Sequence, residues 1–137
     1  MTPFGETAEF RLDVWVEAPV ALDAQTNGPV RLVRISGGTI SGALTGVILP
    51  GGTDWQSIRP DGTTEIEARY LLELSDGARV ELQSRGLRAH GASGFWSSIW
   101  LRTPDSRHAE LNDAQFLGKG RKEPQGVIIE LFRLPAL

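Results

Sequence analysis

The sequence predicts an all-β fold, one antiparallel barrel of about eight strands, and three observations predict it. Apolar and polar residues alternate with period two along most of the chain, the pattern of a sheet with one buried face. Sixteen glycines and eight prolines recur at short intervals and cut that pattern into strand-length pieces. Helix-period stretches are nearly missing; residues 105–116 have room for a turn or two. At 137 residues the chain suffices for one domain, 1–137, with a core of ordinary size.

The strands follow in order. Phe10, Leu12, Val14 and Val16 alternate with Arg11, Asp13 and Trp15. Residues 30–35 and 44–49 are short β-rich runs bounded by glycine. Ile66, Ala68, Tyr70, Leu72 and Leu74 alternate with Glu67, Arg69, Leu71 and Glu73, and Ala78, Val80 and Leu82 with Arg79, Glu81 and Gln83. Residues 95–102 are aromatic-rich, residues 115–118 are a weaker candidate, and Val127, Ile129 and Leu131 alternate near the C-terminus. Glycines at 37, 38, 42, 46, 51 and 52 mark sharp bends, which favours closure into a barrel over a two-sheet sandwich. Closure also hides the strand edges.

One hairpin can be registered from the sequence. A two-residue Asp76-Gly77 loop would set Leu74 opposite Arg79 and oppose every apolar residue to a charge. A three-residue loop, Ser75-Asp76-Gly77, places glycine at the left-handed position such a turn requires. It pairs Leu72 with Val80, Tyr70 with Leu82 and Ala68 with Ser84, and on the other face Glu73 with Arg79 and Glu67 with Arg85. Slipping by one residue would turn the whole apolar set to water. The turn Arg59-Pro60-Asp61-Gly62 has the same chemistry. Read likewise, it opposes Gln56 to Ile66 and Asp54 to Ala68, so Asp54, Gln56, Tyr70 and Ser84 share the inner face while Trp55 and Arg69 lie outside.

Composition removes several classes of function. A formal charge of −3, with no run of basic residues, argues against nucleic-acid binding through bulk charge. Without cysteine there are no disulfides, no thiol catalysis and no cysteine metal sites. The first ten residues lack a basic stretch followed by an apolar one, and no apolar run nears the roughly 20 residues that span a bilayer. The expectation is a cytoplasmic chain with no membrane or nucleic-acid partner. No G-x-S-x-G elbow, phosphate loop, dinucleotide fingerprint or H-E-x-x-H spacing occurs, so neither cofactor nor metal is expected.

Gly51-Gly52-Thr53-Asp54-Trp55, Arg59-Pro60-Asp61-Gly62, Ala68-Arg69-Tyr70, Asp76-Gly77 and Leu111-Asn112 stand in that order, with Gly37-Gly38-Thr39 and Gly42 upstream. This ordered set resembles the bacterial and fungal domain of unknown function 3237. The resemblance covers nearly the whole chain and implies a calycin-like (lipocalin-like) barrel with no established reaction. One departure is Glu110, which stands where that family often has an aromatic residue before the Leu-Asn pair.

Asp54 is the first candidate for a functional group. A carboxylate on the apolar side of a barrel is costly to ionise, so its pKa rises, which is how a general acid or base is made. The structural alternative is an Asx-type turn after the glycine pair. Tyr70 offers a phenol that can orient a ligand or donate a proton, and His108 an imidazole acid; equally, each can be an ordinary satisfied side chain. Trp55 could line a pocket, and Gln56 and Ser84 share Asp54's face. Arg59 and Arg69 invite an anion clamp, although an ion-pair network among Glu65, Glu67 and Glu73 serves them as well. His108, Glu110 and Asn112 could reach over a barrel mouth.

Three functions are therefore open. The leading expectation is a barrel binding an apolar or aromatic small molecule, oriented by Asp54 and Tyr70. A cofactor-free isomerase, cyclase or lyase with Asp54 as base and Tyr70 or His108 as acid stands close behind. The third is an interaction module that self-associates through Trp96 and Trp100; a homo-oligomer suits all three.

Overall fold

The structure, a computed structural model, describes residues 7–25 and 28–137, with side chains for 7–22 and 29–137. Ten strands run in chain order: β1 Phe10–Val16, β2 Val20–Gln25, β3 Gly28–Gly42, β4 Gly46–Ile48, β5 Thr53–Ile58, β6 Thr64–Leu74, β7 Arg79–Arg88, β8 Gly94–Arg102, β9 Gln115–Glu123 and β10 Gly126–Arg133. A 3-10 segment, Ser106–Asp113, joins β8 to β9.

All pairings are antiparallel, and the sheet closes because β1 pairs with both β10 and β3. The long β3 has β1 and β2 along one side and β4 and β5 along the other. Each of those pairs fills a single position round the wall, so the ten strands form an eight-stranded barrel. Both registered hairpins occur as the sequence implies. Leu72 faces Val80, Tyr70 faces Leu82 and Ala68 faces Ser84, with Gly77 at φ +90° closing the turn. Asp54 faces Ala68, Gln56 faces Ile66, and Gly62 at φ +89° closes the second turn.

Val20–Gln25 forms a strand the sequence pattern does not mark, and three further elements differ from expectation for a physical reason. The run at 30–35 extends to Gly42 as one strand, because glycines at positive φ let β1 cross it closely; a Cβ at Gly38 would run into the Asp13 carbonyl. The run at 44–49 shrinks to the three residues of β4. β9 is far longer than residues 115–118, because its inward positions include Gly118 and Gly120, beneath Ile99 and Phe95. Glycines at inward positions erase the alternation that would have marked the strand.

The inner face carries Phe10, Leu12, Leu72, Leu82, Ile99 and Leu131, all buried. One end of the barrel is plugged. The 3-10 segment crosses it, inserting fully buried Leu111 beside the cluster that holds Phe10 and Phe116. Asn112 clamps the segment to Thr103, accepting from its N–H at 2.8 Å and donating to its carbonyl at 3.0 Å. Arg133 lies 5.0 Å over the Phe116 ring and pairs with Glu9 and Glu110. Among the described residues no helix is long and apolar enough to cross a membrane.

Candidate functional site

The opposite end, where β6 begins and β7 ends, is open, and it holds the polar inner face. β5 starts beside Gly52, where a Cβ would collide with that of Tyr70, so glycine lets this strand lie flush against β6. Two residues later Asp54 pairs with Val33 of β3 and Ala68 of β6, and these registers turn its side chain inward. Gln56 is inward by the same alternation and opposes Arg31.

These three side chains form a relay from the rim downward. Arg31 Nη2 donates to Gln56 Oε1 at 2.7 Å, and Gln56 Nε2 donates to Asp54 Oδ2 at 3.1 Å. Asp54 Oδ1 is buried with no hydrogen-bond partner among the described residues, and so is the Tyr70 hydroxyl. Both residues border one apolar cavity of about 30 Å³, shared with Ile35, Ala68, Ser84 and Phe95. The Asx-turn alternative for Asp54 is not what forms; Asp61 and Asp76 make such bonds, to Thr63 N–H and Ala78 N–H.

Burial sets the electrostatics. It pushes the Asp54 carboxyl up to about 6, against the Gln56 hydrogen bond and the positive charges of Arg31 and Arg88. Burial, and then the Asp54 charge, pushes the Tyr70 phenol far above its ordinary range. At neutral pH one cavity therefore holds a carboxylate close to its protonation point and a phenol that keeps its proton. Two groups whose surroundings drive their pKa values apart can divide the roles of base and hydrogen-bond donor.

The other expected site residues lie elsewhere. Ser84 is buried at the cavity, as its register requires. Trp55 faces outward and is 46% exposed, Arg59 pairs with Glu65 at 2.6 Å, and Arg69 donates to Glu81 at 2.7 Å, all on the outer wall. Wider depressions, of about 300 Å³ and more, cross that wall but lie among outward-facing side chains. His108 is not beside Asp54: its Nε2 meets Asp76 Oδ2 at 2.6 Å, in the β6–β7 turn at the plugged end. From Ala68 to Asp76 is eight residues, or roughly 26 Å at about 3.3 Å per residue. Asn112 serves the plug, both ends of its amide being held by Thr103.

Sequence reasoning missed Arg31, Arg88 and Lys122 at the open rim. The signal was present, since each continues an inward alternation: Arg31 with Val33 and Ile35, Arg88 with Leu82 and Ser84, Lys122 with Phe116 and the two glycines of β9. Among the described residues no three His, Asp or Glu side chains gather as metal ligands would.

A family model described as a protein of unknown function (DUF3237) matches residues 7–134. A UPF0311 protein of Bradyrhizobium diazoefficiens is 44% identical over 61 residues, 44% of this chain and 40% of the relative. Another, from Clostridium acetobutylicum, is 37% identical over 81 residues, 58% of this chain and 51% of the relative. The matches thus take in about half or less of these relatives' own lengths. A crystal structure of a beta-barrel like protein from Acinetobacter baumannii superposes with a TM-score of 0.88 at 28% identity, covering 98% of each chain.

Proposed function

We propose that this chain, which belongs to the DUF3237 family of proteins of unknown function, binds a small molecule at the open end of its barrel and moves a proton on it without a cofactor. One observation carries this reading: Asp54 Oδ1 and the Tyr70 hydroxyl are both buried, both without a partner among the described residues, and both at the same apolar cavity. Leaving such atoms unpaired costs on the order of 1–3 kcal/mol each, a cost that a ligand supplying the missing partners removes.

The chemistry follows from the two groups. Asp54, ionised above about pH 6, takes a proton from a carbon or hydroxyl group of the ligand. The Tyr70 O–H donates a hydrogen bond to the oxygen on which negative charge develops, in a site with little water to compete. The protonated Asp54 then returns its proton at a second atom, so an isomerisation or ring closure balances with no redox partner. A cavity of about 30 Å³ admits a carbonyl or hydroxyl group and its neighbouring carbon, while the rest of the ligand stays in the mouth.

Deuterium exchange tests this directly. Cyclohexanone incubated with the protein in D2O should incorporate deuterium next to its carbonyl faster than in buffer, as read by proton NMR. Asp54→Asn should lower that rate by about 10²–10⁴-fold, and Tyr70→Phe should slow it while leaving a base in place. Binding of the ketone without exchange would reduce the proposal to its binding half. Neither binding nor exchange would remove it.

A further inference from the structure

We propose that the small molecule carries a carboxylate, received at the barrel rim by Arg31, Arg88 and Lys122 while its neutral part reaches Asp54. This deepens the reading of Asp54 and Tyr70 above and rests on it. The three cations come from β3, β7 and β9, and each occupies an inward position at the end of an alternation whose deeper members line the core. Three strands thus turn positive charge toward one opening.

How the cations are partnered distinguishes the rim from the outer wall. On the wall, Arg59, Arg69 and Arg79 pair with Glu65, Glu81 and Glu73. Among the described residues, none of the three rim cations makes an ion pair within 4 Å. Arg31 spends one nitrogen on Gln56 and keeps a buried Nε without a partner. Among the described residues Arg88 makes only a long 3.5 Å contact with Thr64 Oγ1. Lys122 titrates below its ordinary value, through burial first and then the charges of Arg88 and Arg31. Like charges held together at a mouth, with Asp54 as the carboxylate beneath them, are relieved by an incoming anion. The planar guanidinium forks of Arg31 and Arg88 match the two oxygens of a carboxylate.

The test compares 4-oxopentanoate with its methyl ester, which share a ketone and differ in charge, by NMR titration of the full chain. The carboxylate should bind at least about tenfold more tightly at low ionic strength, and the gap should shrink in about 0.5 M salt. Lys122→Met, at the most exposed of the three positions, should narrow the gap, and Arg88→Met should narrow it further. Equal affinities for acid and ester, or a gap that survives both substitutions, would overturn the proposal. So would inorganic phosphate competing more strongly than 4-oxopentanoate, which would reassign the rim to phosphoryl compounds. Cyclohexanone carries no charge, so its exchange reports on Asp54 alone. Exchange without acid preference sinks only this inference, and acid preference without exchange sinks only the proton transfer.

Discussion

Asp54→Asn should make the protein more stable at neutral pH, by about 2–3 kcal/mol, while lowering the rate of proton transfer by about 10²–10⁴-fold. The carboxyl ionises near 6 in the folded chain, against 3.8 for an ordinary aspartate. Between those values the folded state holds a proton that the unfolded chain has lost. Stability therefore falls as pH rises from about 4 to about 6, and the loss is complete above that window. Roughly two pKa units, at about 1.4 kcal/mol each, set the size of the penalty at pH 7. Asparagine has the same shape, carries no charge and can still meet Gln56, so it lifts the penalty. Urea unfolding of both proteins at pH 4 and pH 7 should show the gain at pH 7 shrinking toward zero at pH 4. A variant less stable than the parent at pH 7 would mean that the carboxylate makes favourable contacts in the fold. A residue whose removal stabilises the fold is retained for something other than folding, which is the usual mark of a working group.

Leu111→Ala should act in the opposite sense and cost about 2–5 kcal/mol. Leu111 is fully buried, and it is the side chain by which the 3-10 segment closes the far end of the barrel against Phe10 and Phe116. Alanine would leave a void that the rigid ring of strands cannot collapse to fill. Thermal and urea unfolding would measure the loss; a change below about 1 kcal/mol would mean that the plug is not part of the core. Because plug and carboxylate occupy opposite ends, the double variant with Asp54→Asn should show additive effects, within about 0.5 kcal/mol.

Much of this arrangement was legible in the chain. Period two combined with the length of two turns decides which residues face inward, and so the sequence alone groups Asp54, Gln56, Tyr70 and Ser84 on one face. Other features were hidden because the signal was removed or absent. Beyond Phe116, Gly118 and Gly120 leave β9 without apolar inward residues, and in β2 Val20, Ala21 and Leu22 are all exposed, so no alternation marks the start of that strand. The chemistry of His108 and Asn112 alone points to the site, but the order of strands excludes them from it. From β6 onward the barrel runs up and down, so its loops alternate between ends. The 3-10 segment falls with the Asp76 turn, while the Arg59–Gly62 turn lies at the open end. Arg31, Arg88 and Lys122 do not stand out in the sequence because a single arginine or lysine in an apolar alternation reads as its end, and only closure of the barrel brings three such ends together.

The most direct measurement follows the side-chain carboxyl carbon of Asp54 by NMR from pH 3 to pH 8. A midpoint near 6 is expected, as for a carboxyl held in a nearly dry cavity beside a neutral phenol. A midpoint at or below about 4, the ordinary value for a hydrated aspartate, would contradict it and leave the barrel without its base.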